Sequence, residues 1–326
     1  MPTQRAYLQA CRALTALAAS VLALLLVAAG PAPQAKGLRP LRVAPAADSV
    51  TDVARLRGFF AAEDLDVSVF VTTSSTDQMR GLSDGTYDVT FTAFDNVLAW
   101  SGRAGAEIVA VARSNDGPSL PVYVRPEIRA WDDLRGRPLA TDAVDTAFAL
   151  VLRRILLAHD LDLDRGDYSL VAIGNPGLRL ASMERGETFA AILNPPTDAQ
   201  AAAVGMVRFA DYRDVLPEYP GNVAAVSRAW AADHRDELAR FLRAWLAAAR
   251  WVHTDRAAAV ELLAADQGIS PAAAAARLAP VPLDLALDPA GLQSVLDLRA
   301  RFGLTPPLGP EVARYYTLEF LPAASE

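Results

Sequence analysis

Gly58-Phe59-Phe60-Ala61-Ala62-Glu63-Asp64-Leu65-Asp66-Val67 reads as the end of an amphipathic helix, a tight turn and the start of a strand. Upstream, Val53, Leu56, Phe59 and Phe60 recur at one-face helical spacing, so a helix is expected over 51–62. Short apolar runs at 41–46 and 65–72 flank it as strands. Working outward, Ser75-Thr76-Asp77-Gln78 fits a capping box, a hydroxyl followed three residues later by Gln, and opens a helix that Gly85 ends. Strands at 87–92 and 107–112 enclose a helix near 96–101. After a break at Asp116-Gly117-Pro118 the alternation resumes: strand 119–124, short helix 131–134, strand 138–141 and a strong helix over 146–159. In that helix Phe148, Val151, Leu152, Ile155 and Leu156 share a face, with Arg153 and Arg154 expected off it. Strands alternating with helices define an α/β protein with largely parallel sheets.

Residues 79–92 align without gaps on 180–193 at an offset of 101, Gly85 meeting Gly186. Each segment reads helix, terminating Gly, turn, apolar strand and polar loop, which suggests two lobes of like construction. The last third differs. Leu238, Phe241, Leu242, Trp245, Leu246, Ala249 and Val252 form one face of a helix over 236–252, and further helices are expected at 256–266, 271–278, 289–302 and 310–319. A helical tail of this kind folds back over an earlier sheet, because its apolar faces need a cover.

The amino terminus sets the expected compartment. Arg5 and Arg12 precede an uncharged Ala/Leu/Val-rich stretch that ends in Gly30-Pro31-Ala32-Pro33-Gln34-Ala35, the pattern of a cleaved secretory signal over 1–35. An uncleaved membrane anchor is the alternative, but the Pro-rich end suits a processing site better than a continuing helix. Nothing else in the chain is long and apolar enough to span a bilayer. Cleavage leaves 29 basic against 38 acidic residues, a net charge of −9, which argues against a nucleic-acid partner. Cys11 lies in the leader, so the mature chain has neither disulfide nor thiol nucleophile, and Lys36 is the sole lysine. His159, His234 and His253 lack metal-ligand spacing, and no cofactor is expected.

The stretch at 58–67 resembles the GFF-x-x-E-G-L-D-V segment of the nitrate/sulfonate/taurine and thiamine-precursor binding proteins of ABC transporters. The likeness continues through Gly85-Thr86-Tyr87-Asp88-Val89, Phe94-Asp95-Asn96-Val97-Leu98-Ala99-Trp100, Trp131-Asp132-Asp133-Leu134-Arg135-Gly136 and Asn194-Pro195-Pro196, over about 38–316. Two departures stand out: Asp64 replaces a Gly that takes a left-handed conformation at little cost, and Phe189 replaces an acid. The resemblance implies a type II periplasmic-binding-protein fold, with lobe one from 36–118 and 225–326, lobe two from 119–224, and a helical C-terminal segment packing on lobe one. It also implies a periplasmic, monomeric, non-enzymatic receptor that delivers a small molecule to an ABC permease. A thiamine-pyrimidine synthase-like enzyme, or a module sensing ligand for a membrane receptor, is the alternative. The enzyme needs pyridoxal phosphate on a lysine and a reactive histidine.

In such a fold the ligand sits where loops leaving strand ends meet helix N-termini. The candidates in lobe one are Ser75 and Thr76, then Phe94, Asp95 and Asn96. In lobe two they are Asp142, Asp145 and Thr146, with Asn194 ending a strand and Tyr219 near the return crossing. Each polar candidate at a helix start also has a plain reading as a cap, worth about 1 kcal/mol. A helix start attracts an anion by about 0.3–1 kcal/mol. A carboxylate about 4 Å away repels one by several kcal/mol at an effective dielectric near 20. No arginine adjoins Asp95, Asp142 or Asp145 in sequence, although Arg113 or Arg179 has the reach in space, so a neutral or amine-bearing ligand is expected over a sulfonate.

Overall fold

The computed structural model describes residues 38–45, 48–117 and 119–321. The expected leader lies outside them. Two five-stranded sheets organise the rest. The first contains β1 (Arg39–Pro45), β2 (Leu65–Val69), β3 (Val89–Ala93), β4 (Ile108–Arg113) and β10 (Asn222–Ser227), and the second β5 (Val122–Val124), β6 (Pro138–Thr141), β7 (Ser169–Ala172), β8 (Ala190–Ile192) and β9 (Val207–Ala210). Their orders are β2-β1-β3-β10-β4 and β7-β6-β8-β5-β9. In each, one strand runs antiparallel to its two neighbours, β10 between β3 and β4 and β5 between β8 and β9. The other pairings are parallel. Because β10 starts at Asn222, residues 222–224 pair in the first sheet, although the sequence put them in the second lobe.

Strands covered on both faces read as continuous apolar runs, and β4, with five consecutive buried residues from Ile108 to Ala112, is such a run. The cover comes from helices: α1 (Ser49–Leu56), α2 (Phe59–Ala62), α3 (Ser75–Ser83), α4 (Phe94–Trp100), α5 (Ala147–Leu157), α6 (Pro176–Glu184) and α7 (Thr197–Ala203), then α8 (Arg228–Asp233), α9 (Arg235–Thr254), α10 (Arg256–Gln267), α11 (Pro271–Leu278) and α12 (Pro289–Arg301). Helix α9 lays its apolar face on α1 and α2. There Phe241 stacks on Phe60 at 5.2 Å between ring centroids and Trp245 on Phe91 at 5.6 Å. Helix α12 instead packs on α4 and α5, one from each lobe. Accordingly Met79, Phe94 and Leu98 share one apolar cluster with Leu139, Leu150 and Ile155.

Several sequence expectations change. The helix over 51–62 is two helices, broken at Gly58, whose φ of 77° is left-handed. Asp64 takes a left-handed φ of 59° where the resembling family has Gly. Arg153 is buried rather than off the apolar face, its guanidinium 4.1 Å over Phe302 and 3.2 Å from Asp164. The helix over 310–319 is replaced by a single 3-10 turn at Val312–Arg314. The chain then lies along the free edge of β4, Ala110 donating to the Tyr315 carbonyl and Thr317 to that of Ala110, both at 2.9 Å. An unpaired strand edge offers those residues hydrogen bonds that a short helix does not better.

Candidate functional site between the lobes

At one edge of the first sheet β1, β2 and β3 run into the starts of α1, α3 and α4. At one edge of the second, β6 and β8 run toward α5 and α7. The cap of α3 is Ser74, one residue earlier than the capping box implied, and its hydroxyl accepts from the Asp77 amide at 3.1 Å. Gln78 does not close the box: its amide donates to the Ala44 and Phe91 carbonyls at 2.8 and 3.1 Å, tying β1 to β3. Ser75 is thereby released from capping, and its hydroxyl donates across the cleft to Asp142 at 2.9 Å. Thr76 is half-buried on the same turn.

Asp95 is fully buried at the start of α4, and Arg299 of α12 donates to its Oδ1 at 2.9 Å. The same Nη1 reaches the Asp145 backbone carbonyl at 3.3 Å, so one guanidinium touches both lobes. Burial pushes the Asp95 carboxyl up to about 6, with Asp145 and Asp142 adding to the rise, against the opposing charge and hydrogen bond of Arg299. Asn96 turns back to Thr92 Oγ1 at 2.8 Å, and Phe94 lies in the apolar cluster. Asp142 accepts from the hydroxyls of Thr146, Thr141 and Ser75. The side chain of Asp145 pairs with Arg103 at 3.3 Å, a second bridge between the lobes. Tyr219 is buried edge-on to Tyr212, and burial with the nearby Asp95 carboxylate holds its hydroxyl well above the usual phenol range. Asn194 lies two residues beyond β8, before the cis Pro195-Pro196 bond.

Six of the ten candidates thus meet in one polar neighbourhood, or feel its charges: Ser75, Asp95, Asp142, Asp145, Thr146 and Tyr219, whereas Asn96 turns back to Thr92. Buried atoms there lack a partner: Asp95 Oδ2, Arg299 Nε and the Tyr219 hydroxyl, with Asn194 Oδ1 and Arg179 Nε and Nη2 in lobe two. Sequence reasoning passed over Arg299, although it extends the buried stripe Leu292, Val295 and Leu296 at helical spacing. It passed over Asp48 as well. That carboxylate caps α1, accepts from Trp245 Nε1 at 3.1 Å and is pushed up to about 6, mainly by burial. Among the described residues no cluster of three metal-type side chains occurs, and no helix is long and apolar enough to cross a membrane.

The crossings between the lobes touch. Ser114 donates to the Asn222 carbonyl at 2.8 Å, and the Asn222 amide to Asn115 Oδ1 at 2.9 Å. Two α/β lobes joined by such a double crossing, with polar groups from strand ends facing one another, define the periplasmic-binding-protein class of fold. The profile of the family described as NMT1/THI5 like matches residues 51–259, and the chain belongs to that family. Solved structures agree at the level of fold. The alkanesulfonate-binding protein SsuA from Xanthomonas axonopodis pv. citri, bound to MOPS, is 17% identical, with a TM-score of 0.72 over 85% of this chain and 98% of that one. The periplasmic nitrate-binding protein NrtA from Synechocystis is 12% identical, with a TM-score of 0.70 over 87% of both chains. A Candida albicans gene product described as having the generic periplasmic binding protein fold is 15% identical, with a TM-score of 0.71 over 89% and 99%. No curated protein matches by sequence.

Proposed function

We propose that this protein is the periplasmic solute-binding component of an ABC importer, a monomer that captures one small polar organic molecule between its lobes and hands it to a permease. The moving bodies are then residues 38–114 with 222–321, and 115–221. The observation that carries this reading is the buried polar neighbourhood assembled from both lobes, with Ser75 on Asp142 and Arg299 on Asp95 and Asp145. Its unpartnered acceptor, Asp95 Oδ2, suits a ligand with an amine or amide donor. The repulsion argument against an acidic group loses force in space, because Arg299 meets Asp95, Arg103 meets Asp145, and Asp142 acts on the charge of Arg179.

Binding without turnover is the natural use of such a site. The three histidines are engaged away from it: His159 stacks on Trp131, His234 on Trp230, and His253 bonds the Val281 carbonyl. Lys36 lies outside the described residues. Calorimetric titration with a panel of amines, pyrimidines, sulfonates and nitrate is expected to give one saturable site for an amine- or amide-bearing solute, recovered unchanged after repurification. Product formed by the repurified protein, or binding of a simple sulfonate or nitrate alone, overturns the respective part.

A further inference from the structure

Resting on that reading, we propose that Arg179 is the specificity-determining residue of the site and takes a planar, two-oxygen anionic group of the ligand, of the carboxylate kind. Arg179 stands on the first turn of α6, only 1% exposed. Its Nη1 is spent on the Gly174 carbonyl at 2.9 Å, while Nε and Nη2 have no partner. Those two atoms form the side-on edge of the guanidinium, the fork that receives a carboxylate through two parallel hydrogen bonds.

The rest of the surroundings hold the fork without filling it. Phe148 lies 4.5 Å beneath the guanidinium, which fixes its plane. Asp142 is the acid that acts on it, but the oxygens of Asp142 are taken by Thr141, Thr146 and Ser75. Burial lowers the Arg179 guanidinium to about 10, the sign of a cation short of compensating partners. The charge of Asp142 also acts on Asp95, and Ser75 of lobe one donates to Asp142, so the acid beside Arg179 is tied to both lobes. The equivalent position in lobe one, 101 residues earlier, is Gln78, whose amide nitrogen donates to two backbone carbonyls. A structural tie alone needs no more than that. A ligand meeting both lobes therefore carries an acid for Arg179 and a donor for Asp95.

Native mass spectrometry of the protein released from its own cells, with titrations of acetate, propionate and benzoate against acetamide, propionamide and benzamide, tests this. The co-purified molecule is expected to carry a carboxylate. The wild type is expected to prefer at least one acid over its amide by about tenfold or more. Arg179→Met should abolish that preference, and so should Arg179→Lys, which keeps the buried cation but lacks the fork. A co-purified molecule without an acidic group, or a preference that survives in either folded variant, overturns the role of Arg179 and leaves the receptor intact. Methanesulfonate binding as tightly as acetate overturns the planar requirement. No co-purified molecule and no binding by any probe overturn the receptor reading and this inference together.

Discussion

Arg299 and Asp95 form an ion pair in which neither side chain is more than 3% exposed. Removing one partner strands the other charge out of water, a loss of roughly 3–5 kcal/mol, whereas an apolar or neutral replacement of both is nearly neutral. Arg299→Met is therefore expected to lower the chemical-denaturation midpoint sharply. Asp95→Asn combined with it should restore most of the stability. Additive losses in the double-mutant cycle would show that the pair is not coupled. The acid was legible in the sequence, because it follows a strand and opens a helix. Its partner comes from 204 residues away, and only an arginine on an otherwise apolar helical stripe hinted at it.

At the scale of elements, the alternation of strands and helices was readable wherever a strand is covered on both faces. The strands β7 and β9 escaped because they are the outer strands of the second sheet and bury none of their residues fully, so no continuous apolar run marks them. Helix starts were legible to within a residue or two, as at Ser74 against Ser75. The 101-residue likeness has a physical counterpart. Asp88 accepts a forked pair of hydrogen bonds from Arg42, and at its counterpart Phe189 lies beneath Arg125 and Arg137 at 5.5 and 4.4 Å. A cationic partner is kept while the acid gives way to a ring face. The crossing strands hold the sharpest steric constraint: a Cβ on Gly221 meets the Asn115 carbonyl oxygen and Oδ1, each at 2.1 Å. Gly221→Ala is expected to destabilise by about 1–3 kcal/mol by overpacking. A melting temperature equal to the wild type's would mean that the crossings part more easily than their contacts imply.

For the whole molecule, the lobes share the apolar cluster that joins Met79, Phe94 and Leu98 to Leu139, Leu150 and Ile155, and polar bridges add to it: Ser75 to Asp142, Arg103 to Asp145 and Arg299 to the Asp145 carbonyl. Exposed pairs such as Arg103 with Asp145 add roughly 0–1 kcal/mol each, so the polar bridges contribute little beside the apolar contact and a ligand meeting both lobes can outweigh them. Small-angle scattering should give a larger radius of gyration for a ligand-free Ser75→Ala, Arg103→Ala protein than for the wild type with ligand bound. Identical profiles at saturation would count against closure.

The double crossing also fixes an order of assembly. Strand β10 sits between β3 and β4, yet more than a hundred residues separate it from β4 along the chain, and they carry the whole second sheet. As the chain leaves the ribosome, every strand of the second sheet emerges before β10 does. The first sheet cannot be completed until that later strand slots in between two earlier ones. The inserted middle segment is thus free to fold as a unit while the first sheet waits, open, for its missing strand.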